Sequence, residues 1–319
     1  MVLAFYLHQL SPFLFEIGPG FGLRWYGLAY VMAFLCGYRL YRWLSEKGYS
    51  EIPPEQVSDF ITWAALFGVL LGGRLGYVLF YRLPDYLANP LDIMRVWEGG
   101  MASHGGILGL VFFTLYYARK HKVSWLGIGD NLCVVAPIGL FFGRCANFIN
   151  GELYGHVSRV AWAVQFPKEL YVDHELAAKV ADQLPELIPT EGTDWIGSIL
   201  EAAHHDPLAR QVLQNLVPPR HPSQIYEALL EGVVLFGSLW FLRTKVRTSR
   251  GMITGAFFIL YALLRIFGEL FRVPDAPMAG PFTRGQFLSL FMFIIGAAFM
   301  LYGFLNPQYE RGASPILRK

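Results

Sequence analysis

CVVAPIGLFFGRCANFINGELYG, residues 133–155, carries an apolar run directly into an arginine, two asparagines and a glutamate. Two readings compete. The stretch is either a buried helix whose polar end meets water, or a helix whose polar end faces something that needs Arg144, Asn147 and Glu152.

Composition favours a membrane setting. Of 319 residues, 54% are hydrophobic and only 16% charged, whereas soluble domains carry about 25% charge. Mean hydropathy is +0.38. The net charge of +2 implies no general attraction to nucleic acid. Cys36, Cys133 and Cys145 all lie in apolar stretches without CxxC spacing and read as small packing residues. The N-terminus lacks the basic segment of a cleavable signal peptide, so the first span is expected to stay. No metal-ligand spacing is seen and no cofactor is expected.

A membrane helix needs about 20 apolar residues. Seven segments qualify, roughly 23–43, 59–81, 104–118, 129–148, 224–242, 252–271 and 286–305. The expected fold is an all-α integral membrane protein. Helices one to four with the motif above occupy 1–155, a polar head is inserted at 156–222, and helices five to seven fill 223–319. The third segment is short, which places His104 to Gly106 inside the membrane boundary or at a re-entrant turn.

Lys and Arg sort the loops. Arg39, Arg42 and Lys47 follow span one; Arg119, Lys120 and Lys122 follow span three. Arg243, Lys245, Arg247 and Arg250 follow span five; Arg311, Arg318 and Lys319 follow span seven. The alternate loops are poorer in basic residues, which puts the N-terminus outside and the C-terminus inside. The head, whose core reads LYVDHELAAKVADQLPELIPTEGTDW, then lies on the outer face. It shows no catalytic motif, and a steric or docking role is expected for it. No internal repeat is visible, which disfavours an inverted-repeat transporter.

With that orientation, the unusual polar residues gather in the outer half of the membrane, where ionisable groups are costly and usually face the bundle interior. They are Tyr26, Arg74, His104, Arg144, Asn147, Glu152, Glu227, Glu231, Arg265, Glu269 and Arg272. Tyr261, Arg265, Glu269 and Arg272 share one helical face. An Arg265–Glu269 pair can simply lock the bundle, and Arg74 reads first as a structural ion. Glu227 and Glu231 read as partners for these arginines. Arg144 has the planar fork suited to phosphate oxygens, and Asn147 on the same side can donate to an ester or phosphate oxygen. An arginine pair, Arg144 and Arg265, matches an anionic phospholipid head, with Glu152, Glu269 and Arg272 completing the substrate-binding set. His104, followed by two glycines, is open to either a structural or a functional role.

GRCANFINGELYG also resembles the signature of the bacterial prolipoprotein diacylglyceryl transferases, Gly-Arg-x-(Gly/Ala)-Asn-Phe-x-Asn-x-Glu. LRWYGLAY at the first span, HGG at 104–106, HPSQIYEALLEG at 221–232 and LLRIFGELFR at 263–272 resemble further family segments in the same order. The resemblance implies a seven-helix inner-membrane enzyme with its N-terminus outside. It implies transfer of the diacylglyceryl group of phosphatidylglycerol to the lipobox cysteine of a preprolipoprotein, with release of glycerol phosphate. Carried over by motif, Arg144 binds the lipid phosphate, Asn147 and Gly155 shape that site, and Arg265 is a second essential arginine. Tyr26 and His104 lie in the reaction cavity. Two features depart from the family. Cys145 stands where an apolar residue is usual and is given no nucleophilic role, and the stretch 168–220 is longer than the norm.

The chemistry fits these residues. A thiol with a pKa of about 8.5 attacks the glycerol carbon bearing the phosphate, and the leaving phosphate gains charge that two arginines can stabilise. His104 either takes the thiol proton or orients the lipid. The rivals are a phospholipid or small-anion transporter, which needs polar groups at several depths, and a retinal protein, which needs a lysine in the last span. QFLSLFMFIIGAAFMLYGFL has none.

Overall fold

The computed structural model describes residues 5–18, 21–95, 99–188, 194–274 and 280–309. The basic residues expected after the last span, Arg311, Arg318 and Lys319, lie outside the described residues, as does part of the TEGTDW segment.

Ten helices carry the described chain's main architecture: α1 (Trp25–Glu46), α2 (Pro54–Tyr81), α3 (Ser103–His121), α4 (Trp125–Asn150), α5 (His174–Gln183), α6 (Trp195–Ala202), α7 (Pro207–Leu216), α8 (Ser223–Lys245), α9 (Met252–Glu269) and α10 (Arg284–Leu305). Five of them, α2, α4, α8, α9 and α10, are long and apolar enough to cross a membrane. The counterparts of spans one and three, α1 and α3, are helices of 22 and 19 residues. They fall outside the five because α1 holds Arg39 and Arg42 among its tyrosines and α3 ends in Arg119, Lys120 and His121. The chain is thus a mostly helical integral membrane protein. His104 to Gly106 form the first turn of α3 rather than a re-entrant turn.

Two small sheets accompany the helices. β1 (Tyr6–Leu7) pairs in parallel with β4 (Val164–Gln165), which pairs antiparallel with β5 (Pro219–Arg220). β2 (Phe13–Gly18) and β3 (Phe21–Arg24) form an antiparallel hairpin just before α1. Strands of two residues are too short to show a period of two in sequence, and the hairpin's apolar residues merge with the start of span one.

The chain divides into two compact units, one of Met1–Phe34, Pro137–Phe236 and Ile259–Ile294, the other of Leu35–Ala136, Gly237–Phe258 and Ile295–Lys319. Within the first, α5, α6 and α7 surround an apolar core of Leu170, Leu176, Val180, Ile199, Val212 and Leu213, joined by Leu7. In α7 the buried residues Ala209, Val212 and Leu213 follow the i, i+3, i+4 pattern of an amphipathic helix. The acidity of this region has a local use. Asp173, Asp194 and Asp206 accept hydrogen bonds from the Leu176, Gly197 and Leu208 amides and so cap the three helices.

In the second unit, Arg243 departs from its expected place in a basic loop. It is buried at the end of α8, where it donates to Asn131 Oδ1 at 3.0 Å and to the Tyr49 carbonyl. Asp130 beside it accepts from the Gly251 and Thr254 amides, both at 2.8 Å, capping α9. A buried polar group is costly unless its hydrogen bonds are made. These groups are engaged by backbone and by one another, as a structural lock. Arg74 is used in the same way. Its guanidinium donates to the carbonyls of Asp92, Ile93, Arg95, Gly99 and Gly100.

Candidate active site

The polar end of α4 sits in the first unit among carboxylates from α8 and α9. Arg144 donates from Nε at 3.2 Å and from Nη2 at 3.0 Å to Glu231 Oε2, and its Nη1 lies 3.0 Å from Glu227 Oε2. Arg265 donates from Nη1 to Glu227 Oε1 at 2.5 Å and to Glu231 Oε1 at 3.3 Å, and from Nη2 to Glu269. Arg272 reaches Glu227 Oε1 at 3.1 Å. Three arginines therefore meet three carboxylates, with Glu227 touching all three guanidinium groups.

The local backbone makes this possible. From Ala228 to Val234, α8 widens into a π-helical turn, a feature frequent at functional sites. Glu227, just before it, and Glu231, within it, reach the same two arginines. Gly285 gives Glu269 room, since a Cβ there would come 2.5 Å from Glu269 Oε1.

Exposure separates the arginines. The side chains of Arg144 and Arg265 keep 15% and 12% of their surface, while Arg272 keeps 3%. A guanidinium carries five N–H donors. Three of Arg144's serve carboxylates, as do three contacts from two nitrogens of Arg265, so both retain N–H groups for an incoming oxyanion. Arg272 is a fixed counter-charge inside the cluster.

Asn147, one turn beyond Arg144, donates from Nδ2 to the Tyr26 hydroxyl at 3.1 Å and to Glu152 Oε1 at 2.8 Å. Both amide hydrogens are thereby engaged, and Asn147 holds Tyr26 and Glu152. Tyr26 accepts that bond and keeps its own hydroxyl hydrogen to give. The turn after α4 is left-handed at Gly151 (φ 65°) and Leu153 (φ 60°). Segment 221–232 fixes it: Gln224 donates to the Glu152 carbonyl at 2.6 Å and Ser223 to the Leu153 carbonyl at 2.9 Å.

Gly155 lies where two backbones cross. Its amide donates to the His221 carbonyl at 2.9 Å, and His156 donates to the Phe271 carbonyl at 2.9 Å. A Cβ at Gly155 would fall on the Phe271 carbonyl and within 2.8 Å of the His221 backbone. His104 belongs to the second unit, exposed in the first turn of α3, and its ring takes no hydrogen bond among the described residues.

A family profile described as prolipoprotein diacylglyceryl transferase matches residues 12–302. The chain belongs to the prolipoprotein diacylglyceryl transferase family. Proteins named phosphatidylglycerol–prolipoprotein diacylglyceryl transferase resemble it along nearly their whole length. The one from Bdellovibrio bacteriovorus is 39% identical, covering 98% of this chain and 99% of its own. That of Azospirillum brasilense is 43% identical over 92% and 95%, and that of Neisseria meningitidis serogroup A 40% identical over 92% and 96%.

Two residues around this transferase's signature turn escaped the sequence reading. His8 Nε2 lies 2.7 Å from the Phe148 carbonyl, and Lys168 Nζ donates to the Asn150 carbonyl at 2.7 Å. Burial pushes the His8 imidazole down to about 4, against the raising effect of its bond to Phe148. Burial also lowers Lys168, with Glu152 opposing. A lone histidine in a short amino-terminal strand carries no spacing signal; only its contacts reveal it.

Proposed function

We propose that this chain transfers the diacylglyceryl group of phosphatidylglycerol to the lipobox cysteine of a preprolipoprotein, at the arginine–carboxylate cluster of Arg144, Arg265, Glu227, Glu231 and Glu269. The observation that carries the reading is the pair of partly open guanidinium groups, Arg144 at the end of the signature helix and Arg265 on α9, in a chain of the transferase family. The names of its relatives supply the substrates. We place it as a seven-span protein of the bacterial inner membrane, N-terminus outside, with residues 156–222 as an outer head and the site in the outer half.

The chemistry follows from the groups present. The cysteine sulfur attacks the glycerol carbon that bears the phosphate. The carbon–sulfur bond forms as the carbon–oxygen bond breaks, and the electron pair of that bond leaves on the phosphate oxygen of glycerol phosphate. The spare N–H groups of Arg144 and Arg265 are available to stabilise this charge as it grows. Their carboxylate partners hold them oriented beforehand, so little reorganisation is needed during the reaction, and such preorganised donors contribute several kcal/mol. Tyr26, fixed by Asn147, donates its hydroxyl hydrogen to a phosphate or glycerol oxygen. Glu152 fixes Asn147 in turn, and Gly155 keeps the crossing below it closed. For His104 the two roles of taking the thiol proton and of orienting the lipid both stand, and the pH–rate profile separates them.

The cluster is neutral before the lipid arrives, with charge three against three. A phosphodiester carries a single negative charge, and the departing phosphate monoester gains a second. A neutral cluster with oriented donors binds the ground state modestly and favours the more charged transition state, which is the differential binding that catalysis requires.

The test is direct. Purified protein incubated with phosphatidylglycerol and a lipobox peptide is expected to yield a peptide heavier by one diacylglyceryl group in thioether linkage, seen by mass spectrometry. Absence of the adduct from folded protein with both substrates overturns the assignment.

A further inference from the structure

We infer that His8 and Lys168, neither of them in the signature segment, are positioning residues that clamp the end of α4 and hold Arg144 and Asn147 in register for the transfer. The inference rests on the proposed function of that cluster.

A helix leaves its last four carbonyls without intrahelical partners. At the end of α4 these belong to Asn147, Phe148, Ile149 and Asn150. The turn satisfies part of the need itself: Glu152 donates to the Asn147 carbonyl at 3.1 Å and Gly151 to the Phe148 carbonyl at 2.9 Å. Two further bonds come from side chains outside the helix and its turn. His8 gives Nε2–H to Phe148, 140 residues away, and Lys168 gives an ammonium hydrogen to Asn150.

His8 is itself firmly held. Its amide donates to the Gln165 carbonyl at 2.8 Å, continuing the pairing of β1 with β4. Its ring meets Phe148 edge-on at 5.4 Å and Phe166 at 5.3 Å. Gly151 completes the fit, because a Cβ there would approach the ring within 3.1 Å. Lys168 follows β4 in the same short stretch. The amino-terminal strand and the head therefore grip one helix end together. The residue gripped, Phe148, directly follows Asn147 and lies four after Arg144. A shift of this last turn moves both.

The Phe148 carbonyl can only accept, so His8 carries a hydrogen on Nε2, as the neutral Nε2–H tautomer does. The site suits that form, being buried and close to the ammonium of Lys168. The head thus has a use beyond steric shielding, since its first strand and Lys168 set the position of the signature turn.

The experiment compares His8→Ala, His8→Gln and Lys168→Met with the unaltered full chain in phosphatidylglycerol micelles, with a lipobox peptide as acceptor. Both kcat and KM are measured per folded molecule, and folding is scored by gel filtration and thermal midpoint. Small misplacements of catalytic groups cost up to about a hundredfold in rate. His8→Ala is expected to lower kcat by about ten- to a hundredfold with KM for phosphatidylglycerol changed less than about twofold. Glutamine carries an N–H at nearly the distance of Nε2 and is expected to restore most of the rate. Lys168→Met is expected to lower kcat in the same direction by a smaller factor.

A purely structural role would move the thermal midpoint and leave kcat per folded molecule unchanged, and that result overturns the inference. So does a glutamine variant as poor as alanine, which would remove the hydrogen bond as the cause. If His8→Ala does not accumulate as folded protein, Lys168→Met decides: unchanged kcat there refutes the clamp. Loss of the thioether product in the unaltered chain would instead refute the proposed function, so the two failures are distinguishable.

Discussion

Replacing Glu227 by glutamine preserves shape but removes the one carboxylate that touches Arg144, Arg265 and Arg272, at 3.0, 2.5 and 3.1 Å. Near an effective dielectric constant of 20, each contact at about 4 Å is worth roughly 4 kcal/mol before desolvation. Three together approach about 12 kcal/mol gross. Relief of repulsion with Glu231 and a smaller desolvation cost cancel much of this. Breaking a buried pair on one side typically leaves a net cost of about 3–5 kcal/mol. The cluster, neutral before, also becomes singly positive. Two effects of opposite sign are expected. Glu227→Gln should unfold at a markedly lower SDS mole fraction in mixed micelles. The folded fraction should bind glycerol phosphate at least about tenfold more tightly, a change of only about 1.4 kcal/mol. Isothermal titration of the folded protein with sn-glycerol 1-phosphate reads the second effect. Unchanged stability would refute the hub role of Glu227. Weaker anion binding with stability retained would refute the view that carboxylates hold the arginines back in the resting site.

Four further outcomes are expected. Arg144→Lys keeps the charge but loses the fork; transfer should fall by more than about tenfold while the thermal midpoint holds, and wild-type turnover would remove Arg144 from the phosphate site. His8 is neutral when folded, with a pKa near 4 against about 6.5 unfolded. Its neighbours Lys168, Glu152 and Arg24 share that corner, and because the unfolded chain binds the proton first, its stability contribution is complete above about 6.5. That contribution should decline as pH falls towards 4, by roughly 3 kcal/mol in all; pH-resolved unfolding of His8→Gln should lack this loss, and an identical pH slope would contradict it. Gly155→Ala forces a methyl group into the backbone of Phe271 and His221, so folded yield and activity should both drop, at a cost of about 1–3 kcal/mol. His104→Gln should lose its transfer activity near neutral pH and regain part of it as pH approaches the thiol's own pKa of about 8.5; an unaltered acid limb in the pH–rate profile would remove the base role.

Much of this protein was legible along the chain. Charge scarcity and long apolar runs give a membrane protein outright, because about 20 consecutive apolar residues have few other uses. The four-residue rhythm of Tyr261, Arg265 and Glu269 put them on one face, and the Arg265–Glu269 contact lies on it. The signature segment offered Arg144, Asn147, Glu152 and Gly155 as candidates, and in the first unit Arg144 meets Glu227 and Glu231 of α8 while Asn147 meets Tyr26 and Glu152. What periodicity could not supply was every contact made between helices. That Glu227 rather than Glu269 is the hub, and that Asn147 spends its amide hydrogens on Tyr26 and Glu152, follow from side chains far apart in sequence. Arg243 counted as a loop charge by composition, yet it is buried against Asn131 and the Tyr49 carbonyl. The two-residue strands and His8 left no pattern at all. Local spacing reports which residues share a face, because helix geometry fixes that within a few residues. Which faces meet, and which carbonyl a distant imidazole reaches, is settled only when apolar burial and the need to satisfy every buried polar group act on the whole chain at once.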